Sequence, residues 1–277
     1  MTYKKDDLLK LQSVEKEMLA EVDRVCHELG IQYFSVGGTT LGAIRHNGFI
    51  PWDDDIDIGM MRNDYELFLK NAPLLLDKKY FLQNFIFNKH TPQYHTKVMK
   101  KGTTFVEKGI EHLKIQKGIF LDVMPYDYLP ENDRKQEKVL KKQMFFYSLF
   151  GLKSQIRTFS RGKVANLLLT VVRFFLWILL LPFPKALFFN LYDSSLKNAS
   201  GKSPVIGTRG YANCIIYEDE LFPLRPHQFN ETEIPVPNNC DAVLKRQYGD
   251  YMTLPPPNKR HQHSPVVLSF GDDDAKK

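Results

Sequence analysis

Residues 35–58 read Ser-Val-Gly-Gly-Thr-Thr-Leu-Gly-Ala-Ile-Arg-His-Asn-Gly-Phe-Ile-Pro-Trp-Asp-Asp-Asp-Ile-Asp-Ile. A β-prone run, Ile31–Val36, leads into Gly37-Gly38-Thr39-Thr40. A second strand pattern, Asp55-Ile56-Asp57-Ile58, alternates polar and apolar at the period of a half-buried strand. Four Asp fall within positions 53–57. On a strand, Asp55 and Asp57 point to one face, where two carboxylates repel unless a cation lies between them. A hard divalent ion such as Mg²⁺ suits such a pair, because it takes a few carboxylates and completes its shell with water and substrate phosphates. Asp122, in Gly118–Met124, stands on an otherwise apolar strand face and is the candidate third carboxylate. Gly37 and Gly38 let the backbone approach a phosphate, and Thr39 and Thr40 add hydroxyl donors. The bland alternative is a solvated Asp turn beside a tight Gly-Gly bend. A calcium loop is disfavoured, because EF-hand spacing is missing.

Working outward, residues 3–29 carry apolar side chains at three- and four-residue spacing, ending at Gly30, and predict an amphipathic helix. A turn of helix is expected at Leu41–Arg45, a longer helix at 62–76, and strands at Tyr80–Phe87, Lys97–Lys100 and Gly118–Met124, the last closed by Pro125. This is a mixed α/β pattern.

The chain has 277 residues, 43% hydrophobic and 25% charged, which excludes global disorder and low-complexity architectures. Three cysteines exclude a disulfide scaffold and fit a reducing compartment. No Cys/His cluster has zinc spacing. The first residues are polar, without the apolar core of a signal peptide, so a cytosolic start is expected. A net charge of +6 permits an anionic partner without selecting one.

Residues 134–163 hold nine Lys/Arg against one acid, Glu137, and Val164–Pro184 follow as an apolar run interrupted by Arg173. Twenty-one residues just reach across a bilayer, but Arg173 near the centre costs about 2.5–3.5 kcal/mol there. Pro182 and Pro184 also oppose a span. A helix pair lying on a membrane surface fits better, and a buried helical subdomain is the alternative. Beyond residue 200 the chain reads as loop-rich.

The segment Gly37–Met60 closely resembles the LicD family of phosphocholine transferases, which is related to fukutin and fukutin-related protein and belongs to the nucleotidyltransferase-fold superfamily. Val36-Gly37-Gly38, a 16-residue spacer (39–54) and Asp55-Ile56-Asp57-Ile58 match the superfamily pattern. Phe120-Leu121-Asp122-Val123-Met124-Pro125 matches the later carboxylate, followed by Asp127. Tyr248-Gly249-Asp250-Tyr251-Met252 through Lys259-Arg260-His261 is a weaker match. The resemblance implies an α/β (α+β) fold: a nucleotidyltransferase-like mixed sheet core with a helical, membrane-facing insertion. The expected parts are residues 1–133, the first part of the core; 134–199, the insertion; and 200–277, completing core and active site.

The implied reaction moves phosphocholine from CDP-choline to a sugar hydroxyl of a teichoic acid or similar bacterial glycan precursor, releasing CMP. Asp55, Asp57 and Asp122 are then the expected catalytic carboxylates and Mg²⁺ ligands, with Asp122 as third ligand or as base toward the acceptor hydroxyl. Gly37, Gly38, Thr39 and Thr40 face phosphate. Arg45, His46, Lys97, Lys259, Arg260 and His261 are candidate phosphate partners. Trp52, Tyr126, Tyr128, Tyr248 and Tyr251 are candidate aromatic faces for a quaternary ammonium, with Asp53 and Asp54 in supporting roles. The expected partners are CDP-choline, a lipid-linked or cell-wall glycan precursor and the inner face of the cell membrane, with no nucleic acid. Transfer of another phospho-alcohol such as ribitol phosphate from its CDP form, or a non-catalytic membrane-surface adaptor, are the rival readings.

Overall fold

The computed structural model describes residues 4–156, 163–197, 201–208, 214–260 and 265–271. Helix α1 (Lys5–Leu29) buries Leu11, Met18, Val22 and Val25 along one stripe. It ends where Gly30 adopts φ 64°, a left-handed conformation that Gly takes without steric cost. Next come β1 (Phe34–Ser35), α2 (Gly37–His46), β2 (Asp57–Met61), α3 (Arg62–Leu75), β3 (Tyr80–Gln83), β4 (Thr96–Lys100), β5 (Thr104–Val106) and β6 (Phe120–Tyr128). They build a mixed sheet in the order β1-β2-β6-β4-β3, in which only β2 and β6 run parallel. Helices α1 and α3 cover one face, packing on Ile58, Met60, Leu121 and Val123.

The expected mixed α/β class holds, with local differences. Gly37 and Gly38 open α2 instead of forming a turn, and β2 begins at Asp57, so Asp55 precedes the strand. The strand expected to reach Phe87 stops at Gln83, because the Asn84 side chain accepts the amides of Ile86 and Phe87 and turns the chain. Pro125 does not close β6. On that strand's outer edge, pairing to β4 ends at Val123 and pairing to β7 (Val205–Gly207) starts at Asp127, so a residue without an N–H falls in the gap.

The basic and apolar stretch forms α4 (Asp133–Lys153), α5 (Lys163–Leu179) and α6 (Lys185–Lys197). Helices α4 and α6 pack together around Phe150, Phe188, Phe189 and Tyr192, against Phe85 and Tyr94 of the sheet side. Among the described residues no helix is long and apolar enough to cross a membrane. The C-terminal stretch is more ordered than its Pro and Asn content suggests. Strand β7 extends the sheet to β8 (Ile216–Tyr217), and α7 (Glu218–Leu221) follows. The hairpin β9 (Arg225–Phe229)–β10 (Thr232–Val236) and α8 (Cys240–Tyr248) pack on α2, while β11 (Val267–Ser269) pairs with β5.

Arg62 ties the three-helix unit to the sheet. Its guanidinium donates to both oxygens of Asp127, at 2.9 and 2.5 Å, and to Asp193 on α6 at 2.8 Å. Arg62 and Asp127 are nearly shielded from water, so removing Asp127 leaves the buried Arg62 charge with only the partly exposed Asp193 opposite it. Asp127→Ala is expected to lower unfolding stability by about 3–5 kcal/mol, read from urea denaturation; an unchanged midpoint would contradict this role for the ion pair.

Candidate active site

The site begins at the amino end of α2. Gly37 has φ +55°, and a Cβ there would lie 3.6 Å from the Tyr248 hydroxyl and 3.9 Å from Asp57 Oδ2. At Gly38 a Cβ would lie 2.8 Å from Asp53 Oδ2, inside contact distance. The two glycines therefore open room for carboxylates at the positive end of a helix. The Asp57 amide donates to Thr39 Oγ1 at 2.8 Å, fixing the helix start to the first residue of β2. Thr40 pairs with Ser35 at 2.9 Å, in the interior.

Three neighbouring strands then set a row of charges. Asp57 on β2 is in register with Asp122 on β6, and Asp122 with Lys97 on β4. Residues in register share a sheet face. Lys97 Nζ lies 3.2 Å from Asp122 Oδ1, 3.5 Å from Glu107 and 3.0 Å from the centroid of the Phe120 ring. His95 Nε2 lies 3.1 Å from Asp122 Oδ2. Sequence reasoning missed His95; its two-residue spacing from Lys97 was the available signal.

Asp53, Asp54 and Asp55 each offer a carboxylate oxygen, and these oxygens lie within 4.8 Å of one another. Asp54 is buried, while Asp53 and Asp55 are half-buried. An all-oxygen set held this close in a partly dry place fits a hard divalent cation. This group shares only Asp55 with the expected Asp55, Asp57, Asp122 set, because Asp55 sits in the turn before β2 and not on the strand.

The other candidates divide. At the carboxyl end of α2, Arg45 donates to Tyr251 O at 2.5 Å and to His46 Nε2 at 2.9 Å. Burial first, then Arg45, lowers the His46 pKa, so its ring stays neutral and accepts that bond. His46 therefore offers no charge to a phosphate at neutral pH. The Trp52 ring stands edge-on to His46, and the Arg260 guanidinium lies 4.2 Å from its centroid. Lys259 is exposed nearby in sequence, and His261 lies outside the described residues. Tyr126 is a core side chain, edge-on to Phe34 at 5.1 Å. Tyr251 is buried with its hydroxyl on Asp241, and Tyr128 donates to Glu218. Tyr248 is the aromatic at the cluster. Burial and the charges of Asp57 and Asp53 push its phenol pKa up, so it stays protonated.

Residues 30–148 match the family model LicD/FKTN/FKRP, nucleotidyltransferase domain. This stretch is similar to the nucleotidyltransferase domain of the LicD family. Along 94% of its length the chain is 26% identical to 97% of the lipopolysaccharide cholinephosphotransferase LicD of Haemophilus influenzae. It is 34% identical over 110 residues, 38% of either chain, to an uncharacterized protein of Rickettsia prowazekii. Over 49 residues, 18% of this chain and 10% of the relative, it is 41% identical to the human ribitol 5-phosphate transferase FKRP.

The LicD-like stretch is completed on one side by α1, which carries an acid the sequence reading passed over. Glu15 is buried, and among the described residues its Oε2 has no hydrogen-bond partner. Neighbouring Gln12 donates to the Asp53 carbonyl at 2.9 Å. Burial, followed by Asp55, Asp54, Asp53 and Asp57, raises the Glu15 pKa well above 4.5. The overlooked signal was positional: Gln12 and Glu15 fall on the same stripe as Leu8, Leu11, Met18 and Val22. A cavity of about 870 Å³ opens elsewhere, between the end of α1 and the β9–β10 hairpin, and none of the five Asp lines it.

A carboxyl whose folded pKa is raised weakens the fold as pH climbs above its unfolded value, because the unfolded chain ionises first. Glu15→Gln removes that penalty. In chelator-containing buffer, its melting temperature is expected to match wild type near pH 4.5 and to exceed it increasingly toward pH 8. A difference independent of pH would show that Glu15 titrates normally.

Proposed function

We propose that this chain transfers phosphocholine from CDP-choline to a sugar hydroxyl of a teichoic acid or similar bacterial glycan precursor, releasing CMP. The observation carrying this reading is the in-register Asp57–Asp122 pair beside the glycine-opened end of α2. Similarity to a cholinephosphotransferase over nearly the whole chain supports the donor.

In this reading the acceptor oxygen forms a bond to the phosphorus bearing choline. The bond from that phosphorus to the bridging oxygen breaks, and CMP leaves with the electron pair. The acceptor proton passes to a carboxylate, for which Asp122, oriented by Lys97 and His95, is the assigned base. The Gly37 and Gly38 amides at the start of α2 face the diphosphate. Mg²⁺ bound by Asp55 and Asp57, with Asp53 and Asp54 close by, would supply charge neutralisation for the diphosphate and the leaving CMP. The choline headgroup offers no hydrogen-bond donor and is recognised by aromatic faces. Tyr248 suits that role better than Trp52, whose ring is already covered by Arg260.

Calorimetric titration of the full chain with CDP-choline is expected to show Mg²⁺-dependent binding. Asp57→Asn should weaken it at least tenfold, about 1.4 kcal/mol, while the variant keeps its circular dichroism. Binding of CDP-ribitol in its place would move the donor to the second reading, which the FKRP similarity favours. Silence of the folded wild type toward both donors would refute the transferase reading and leave the adaptor.

A further inference from the structure

Helix α5 presents an apolar surface that the rest of the described protein does not cover. Nine apolar residues between Leu167 and Leu179 are 39–69% exposed. At 100° per residue they occupy an arc of about 200°, interrupted by no charge. The opposite, half-buried face holds Leu169, Arg173, Trp177 and Leu180. Two bonds fasten that face to the protein: Arg173 donates to Ile156 O at 2.9 Å, and Lys153 donates to Leu180 O at 2.8 Å. Arg173, the cation within the apolar run, is thus turned inward. Leu181 and Phe183 continue the exposed apolar surface past the helix end.

The neighbouring α4 carries the complement. Arg134, Lys138, Lys141, Lys135 and Lys142 are all exposed and fall within one arc of about 120°. Exposed Phe145 lies in the same arc. Glu137, the acid between Arg134 and Lys142, is paired with Lys141.

We infer that α5 and the basic stripe of α4 form a docking surface for an anionic lipid bilayer, with α5 lying in the interface. The arc is about twice the stripe that one packed helix covers. A second copy of the chain would bring like-charged α4 stripes together, whereas anionic headgroups neutralise them. At 17 residues α5 is about 25 Å long, short of the roughly 30 Å hydrocarbon core, so it lies along the surface and does not cross. This inference stands independently of the transferase reading, since none of its residues touches the carboxylate site.

The experiment is flotation of the full chain with vesicles of phosphatidylcholine alone, or of phosphatidylcholine mixed equally with phosphatidylglycerol, together with light scattering of the protein alone. Wild type is expected to float with the mixed vesicles. Leu168→Glu/Phe175→Glu, at exposed positions that leave the fold intact by circular dichroism, is expected to lose at least about tenfold in partitioning. Lys138→Gln/Lys142→Gln should bind more weakly, and by a margin that shrinks at high salt. Wild type that stays with neither vesicle overturns the inference. So does a double Glu variant that still floats, or a wild-type dimer that this variant converts to monomer without any vesicle binding.

Discussion

Mutual repulsion of carboxylates is the constraint around which this molecule is arranged. Five Asp side chains are gathered where β2 and β6 begin, and Glu15 adds a sixth acid from below. Like charges at such distances separate unless the scaffold holds them. Here the scaffold is the parallel β2–β6 ladder, which fixes Asp57 beside Asp122 through backbone bonds that do not depend on charge. Partial compensation comes from the amino end of α2 and from Lys97 on the next strand. Glu15 responds differently: burial and the neighbouring Asp charges raise its pKa.

The remainder of the architecture follows from the need to keep that ladder rigid. Helices α1 and α3 seal one sheet face with aliphatic side chains. The C-terminal hairpin and α8 brace α2, and the Asn230 side chain fills the space a Cβ on Gly48 would take. The three-helix unit is attached by two different means. One is an aromatic cluster that joins Phe150 and Phe189 to Phe85 and Tyr94. The other is the Arg62 bridge to Asp127 and Asp193. Both involve α4 and α6 or their sheet-side partners, which leaves α5 outward and apolar.

The periodic elements were legible in the sequence because burial of one face writes itself into spacing. The stripe of α1, the helix at α3 and the alternation leading into β2 all appear within a few residues of their observed limits. Boundaries set by side-chain hydrogen bonds were not legible in this way. Asn84 ended β3 early, and the change of partner along β6 let Pro125 stay inside a strand. The acidic motif pointed to the right segment, yet its spacing suggested that Asp55 and Asp57 share a strand face. The chain enters the strand only at Asp57, and Asp53, Asp54 and Asp55, which precede it, offer carboxylate oxygens within 4.8 Å of one another.

The sequence by itself determined the chemistry available: Gly-Gly after a strand, a dense run of Asp, a later Asp on an apolar strand, and a basic stretch followed by an apolar one. Local propensity and period carry that information, because they depend on residues within a turn or two of one another. The tertiary structure alone decided which groups meet. His95 and Lys97 reach Asp122 across strands, Glu15 and Gln12 reach the Asp run from 38 to 41 residues away, and Tyr248 arrives from the far end of the chain. Such encounters are set by strand register and helix packing, which sum over the whole core. For the same reason Tyr126, an aromatic close to the motif in sequence, is buried against Phe34, while Tyr248, distant in sequence, stands at the carboxylates.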